Sequence, residues 1–136
     1  MGYSDPHHRS LGVAACDLFR VLFADVRSPD DVIAFEGMSI VRPMMLQFPT
    51  DKKCAGVDVE DQYMFGSDWL VAPVYVQGAA SRSVYLPVLP EGQVWENYYS
   101  NVQTTGGQRI TEPTTLADFP LYRRAVPAAA NLVVKA

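Results

Sequence analysis

Few residues of this 136-residue chain have the types and spacing that chemistry requires. Asp58, Glu60 and Asp61 cluster as an acidic group. Glu60 and Asp61 are adjacent, and neighbours on an extended chain point to opposite faces, so they do not form an acid/base pair. Their simplest role is a solvated acidic loop. His7 and His8 could ligate a metal, but no third ligand follows at a fixed spacing, and they read as a solvated terminus. No metal and no cofactor is expected. Cys16 and Cys54 make no disulfide framework and fit no zinc motif. Cys16 reads as a small core residue, because a reactive thiol needs an activating neighbour.

Two residues are candidates for the substrate side of a site. Arg42 lies in an apolar run and must find a partner or reach water. That partner is either a substrate-side carboxylate or a structural acid such as Asp51 or Asp68. Trp95, with Tyr98 and Tyr99 close by, could stack on a sugar ring; the competing role for Trp95, as for Trp69, is core packing. No catalytic residue is assigned.

The elements that must position these residues centre on Asp61–Pro73, DQYMFGSDWLVAP, a polar turn, an aromatic run, a stop at Gly66 and then a strand. The segment WLVAPVYV, residues 69–76, is almost wholly apolar and predicts a strand buried on both faces, interrupted at Pro73. Before it, apolar spacing predicts a helix over residues 10–26 and a second from Ser28 to a terminator at Gly37. Residues 38–46 read as a strand containing Arg42-Pro43, and 47–60 as a loop of the length often used as a lid. After it, residues 77–80 form a turn. Short strands are expected over 82–86, 94–99, 108–111, 119–123 and 132–134, with a turn at 104–107. Close-set short strands imply a β-sandwich or its equivalent.

Composition agrees with a folded domain. Apolar residues make up 49% of the chain, enough for a core. The net charge is −4 and the pI about 5.0, which argues against nucleic acid and an anionic membrane as partners. No apolar run approaches the roughly 20 residues of a membrane helix. The sequence leaves the compartment open.

In order along the chain stand VRPMMLQFPTD (Val41 to Asp51), DQYMFGSDWLVAPV (Asp61 to Val74), SRSVYLP (Ser81 to Pro87), the Trp95 segment, Gly106-Gly107 and FPLYRR (Phe119 to Arg124). Together these six pieces resemble the carboxy-terminal part of glycoside hydrolase family 31, the α-glucosidase and α-xylosidase family. The resemblance departs at the end, where FPLYRR runs into Ala125-Val126-Pro127 instead of a Gly-containing strand.

The resemblance implies a mainly β fold: a β-sandwich-like C-terminal domain preceded by one or two helices and the last strand of an incomplete (β/α)8 barrel. It divides the chain into residues 1–76, the end of a catalytic barrel, and 77–136, the proximal sandwich. The implied activity is that of a retaining α-glycosidase acting on α-glucosides or α-xylosides, with carbohydrate as the partner of the full-length enzyme. Such an enzyme needs two carboxyl groups about 5–5.5 Å apart. In the family both come from earlier barrel strands, the nucleophile from a WxDMNE-like segment that this sequence lacks. A whole barrel takes about 250 residues, more than this chain has. The isolated chain is therefore expected to be inactive. The competing reading is a non-catalytic β-rich module that binds carbohydrate or protein.

Overall fold

A computed structural model describes residues 37–115 and 119–127. The helices expected over 10–26 and 28–36 and the strand over 132–134 lie outside the described residues. Gly37, the expected terminator, has φ +62°.

Among the described residues eight strands form two antiparallel sheets. They are β1 (Val41–Pro43), β2 (Tyr63–Phe65), β3 (Trp69–Val71), β4 (Ser81–Leu86), β5 (Val94–Asn97), β6 (Gln103–Thr104), β7 (Gln108–Pro113) and β8 (Leu121–Ala125). The larger sheet has the order β1-β2-β3-β8-β5-β6, and β4 pairs with β7 in the smaller one. A single helical turn, α1 (Met44–Gln47), and two 3-10 turns, Lys52–Ala55 and Val57–Val59, connect β1 to β2.

Proline sets several of the boundaries. The strand expected over 38–46 is only three residues long, because Pro43 closes it and α1 begins immediately after. Pro43 and Pro113 are tolerated inside strands because β1 and β7 each have one neighbour only among the described residues. The strand expected over 69–76 stops at Val71, ahead of Pro73, and Tyr75 and Val76 are exposed. Over Trp69–Val71 the expectation of burial on both faces holds, since all three residues are buried. β8 begins two residues later than expected, after Pro120, whose carbonyl accepts from Ala72 N at 3.0 Å. β5 ends at Asn97 and not at Tyr99, because the Asn97 side-chain oxygen accepts from the backbone N–H groups of Tyr99 and Ser100 and turns the chain.

Register explains the two apolar faces of the large sheet. Met64, Leu70 and Tyr122 lie abreast on one face, and Tyr63, Val71 and Leu121 on the other. Met64, Leu70, Tyr122 and Trp95 meet Val84 and Leu86 of β4 and Ile110 of β7 in the core between the sheets. Phe48, Cys54 and Val59, from the segment between β1 and β2, close one side of that core. On the opposite face Phe65, Trp69, Val71 and Leu121 form a second cluster with Ile40, Tyr98 and Phe119. Among the described residues the fold is a β-sandwich with few helical residues. Strands of the large sheet come from both sides of residue 76, and β1, expected as the last barrel strand, pairs antiparallel with β2, its one strand neighbour among the described residues.

Candidate functional site

Arg42 and Trp95 are both buried, in different surroundings. Arg42 is 1% exposed. Its Nε donates to the Ser39 carbonyl at 2.7 Å and its Nη1 to Gln47 Oε1 at 2.7 Å. These are local partners, supplied because the chain folds back into α1 directly after Pro43. Trp95 is fully buried, donates from Nε1 to the Pro87 carbonyl at 2.9 Å, and meets Phe48 edge-on at 6.2 Å. It shares a face of β5 with Asn97, whereas Tyr98 packs on the opposite cluster. The three aromatic residues therefore do not form one platform. Tyr98 meets Trp69 at 5.7 Å and Tyr99 at 5.1 Å, and Tyr99 is the exposed member.

The better-placed carboxylates are held by structural partners. Asp51 Oδ2 accepts from the Tyr85 hydroxyl at 2.8 Å and from Val88 N at 3.2 Å, and Oδ1 accepts from Lys53 N at 3.1 Å. Burial opposes ionisation of Asp51, but these donors and the Lys53 charge outweigh it and hold the carboxyl below its ordinary range. Asp61 pairs with Arg82 at 3.0 Å. Glu96 accepts two bonds from Arg123 and one from Gln103, and Glu112 accepts from the Tyr122 hydroxyl at 2.6 Å. Asp58 is exposed and 3.9 Å from Arg109, in keeping with a solvated acidic loop. Cys54 is buried and lies near Asp51; burial first, then the Asp51 charge and hydrogen bond, push its thiol up to about 12, which keeps it protonated. Among the described residues no group of three or more His, Cys, Asp or Glu side chains is placed to hold a metal.

The sequence reading missed Gln62 and Arg124. Gln62 is a buried polar side chain bonded to β4, and Arg124 lines a cleft beside Phe48. A lone Gln and the second Arg of a pair carry no local signal. Their roles come from pairing across strands.

Residues 37–126 match the sequence model of the glycosyl hydrolase family 31 C-terminal domain. The chain belongs to glycosyl hydrolase family 31. It is 37% identical over 89 residues to neutral alpha-glucosidase AB of Homo sapiens, a match covering 65% of this chain and 9% of that protein. Among solved family 31 structures it is similar to the alpha-xylosidase of Xanthomonas citri, with TM-score 0.63, 38% identity, 72% of this chain and 10% of that one. It is also similar to the cycloalternan-degrading enzyme of Trueperella pyogenes in complex with cycloalternan, with TM-score 0.75, 28% identity, 88% of this chain and 16% of that one. The chain spans about a tenth of the length of the curated relatives it matches, 9% for four of them. Family 31 membership accounts for the order of the six sequence pieces and for the antiparallel β-sandwich.

Proposed function

We propose that this chain serves a retaining α-glycosidase, one that hydrolyses α-glucoside or α-xyloside O-glycosyl bonds, as its C-terminal domain. In this reading it carries no catalytic group of its own. The observation that carries the proposal is the match of residues 37–126 to the family's C-terminal domain, within relatives roughly ten times longer. The engagement of Asp51, Asp61, Glu96 and Glu112 by structural partners supports it, because a nucleophile and an acid/base must both face substrate. In this reading the family's C-terminal domain covers residues 37–126, and the division into residues 1–76, the end of the barrel, and 77–136, the proximal sandwich, remains part of the proposal. Arg42 and Trp95 act in it as frame residues: Arg42 fixes the turn between β1 and α1, and Trp95 joins the two sheets. The carbohydrate substrate binds the full-length enzyme.

The test is the purified chain with a chromogenic α-glucoside and α-xyloside. No turnover above a buffer blank is expected. Turnover that survives repurification would show that the chain carries its own catalytic pair and would overturn the proposal.

A further inference from the structure

Arg124 projects from β8 on the face of the large sheet that also carries Trp95, its register partner on β5. Buried Arg side chains are normally paired. In Arg124 the buried Nε has no hydrogen-bond partner among the described residues. The Phe48 ring lies 5.2 Å from the guanidinium carbon. Burial and the nearby Arg42 charge both weigh against the guanidinium, with only Asp68 acting in its favour.

This guanidinium lines an open cleft of about 530 Å³ between the α1 segment and the loop after β4. That volume lies within the roughly 300–1,000 Å³ of small-molecule sites. Gln47, Thr50, Asp51 and Lys52 supply polar groups to its walls, and Phe48 an aromatic one. Gln47 gives its oxygen to Arg42, so its amide N–H2 is what remains to bond. Asp51, the one carboxylate in the walls, already accepts from Tyr85, Val88 and Lys53. The cleft thus presents two cationic groups, an amide donor and a hydroxyl, with the ionised Asp51 carboxylate held in its wall by three hydrogen bonds.

We infer that this cleft is a binding site for a small oxyanion-bearing ligand, of the size and chemistry of a sugar acid, with the Arg124 guanidinium as its main anchor. A carboxylate matches the planar fork of the guanidinium with two parallel N–H···O bonds. It also offsets the cost of holding Arg124 partly buried beside Arg42. Lys52, exposed on the rim, adds charge, and Phe48 offers a flat apolar wall to the ring of a sugar. The inference is independent of the α-glycosidase reading.

The experiment is calorimetric titration of the full chain at low ionic strength with D-glucuronate, inorganic phosphate and neutral glucose. Saturable binding of glucuronate, no binding of glucose, and affinity lowered about tenfold or more by Arg124→Gln are expected. Arg124→Lys keeps the charge but not the fork and also weakens binding; Lys52→Met, at an exposed position, weakens it about threefold. Circular dichroism verifies the fold of each variant, and Arg124→Lys and Lys52→Met carry the test if Arg124→Gln does not fold. Phosphate bound with the same dependence on these residues supports the anion chemistry and assigns the ligand to free anions and not to sugar acids. Absence of saturable binding by either anion overturns the inference, as does binding that is indifferent to both Arg124→Lys and Lys52→Met.

Discussion

Gln62 grips the backbone of Tyr85 with both ends of its side-chain amide. Its Nε2 donates to the Tyr85 carbonyl at 2.7 Å, and its Oε1 accepts from the Tyr85 N–H at 3.1 Å. Tyr85 stands opposite Arg109 in the β4–β7 pair, yet its own backbone groups are taken by Gln62. One side chain thus does for the open edge of β4 what a further strand would do, and ties the smaller sheet to the segment that leads into β2. Arg82 of β4 reaches the same segment through the carbonyl and carboxylate of Asp61.

Replacing Gln62 by Ala leaves a buried N–H and a buried C=O without partners. Each unsatisfied group costs about 1–3 kcal/mol, so a loss of about 2–5 kcal/mol is expected in urea unfolding. Gln62→Leu fills the space but restores neither bond, and should be similarly destabilised. A change under about 0.5 kcal/mol for both variants would mean that the clamp contributes nothing to stability.

Asp51 predicts a pH dependence. Its folded carboxyl titrates below its ordinary value, so the stability it contributes is present above the unfolded value and is lost as pH falls through the folded one. Wild-type stability should therefore fall as pH drops from about 5 to about 3, and Asp51→Asn should fall less over that range. Tyr85→Phe removes the hydroxyl donor and should cost about 1.5–3 kcal/mol near neutral pH. Acid denaturation profiles of the three proteins check this; parallel profiles for wild type and Asp51→Asn would refute it.

Trp95 and Gly106 act on one carbonyl. Trp95 Nε1 holds Pro87 O at 2.9 Å, and a Cβ placed on Gly106 would run into that same oxygen and crowd Leu89 N. Trp95→Ala empties a fully buried site and should cost about 3–5 kcal/mol. Gly106→Ala must displace backbone and should cost a comparable amount. Because both act through Pro87, Trp95→Phe combined with Gly106→Ala should destabilise by less than the sum of the two single changes. Additive effects in thermal melts would separate the two positions.

The strands that the sequence revealed were those whose pattern is local. Residues 82–86 alternate and fall within β4 (Ser81–Leu86), and Gly78, at φ +74°, turns the chain ahead of it as expected. β1 and β3 were overestimated, because their apolar runs continue past the prolines that end them. α1 went unseen in MMLQ, a segment as apolar as a strand. For Arg42 the need for a partner was legible, but the carbonyl of Ser39 and the amide of Gln47 were not, since only the fold-back after Pro43 brings them close. Trp95 shows the same limit: an aromatic residue flanked by Tyr98 and Tyr99 suggests a platform until register sends Trp95 inward. The Gln62–Tyr85 clamp spans 23 residues and leaves no trace in either segment alone.

Residues 38–46 should drive self-association of the isolated chain. Among the described residues β1 has one strand neighbour, and its other edge is unpaired there, the kind of edge that can accept a further strand. Val41, Met45 and Leu46 are 56%, 56% and 46% exposed, and Val41 and Met45 line a groove of about 510 Å³ with Val57. An exposed apolar groove beside an open edge favours association through both side chains and backbone. Ser39 counters this in part: its hydroxyl donates to the Val41 carbonyl at 2.6 Å and occupies an acceptor that a neighbouring strand would use. The full chain should therefore sediment as oligomers at micromolar concentration. Ser39→Ala should increase association, and Val41→Lys with Met45→Lys should shift the population towards monomer by placing charge on the edge. Sedimentation velocity distinguishes the outcomes. A wild-type chain that stays monomeric throughout, or a lysine double variant that associates as strongly as wild type, would place the sticky surface elsewhere.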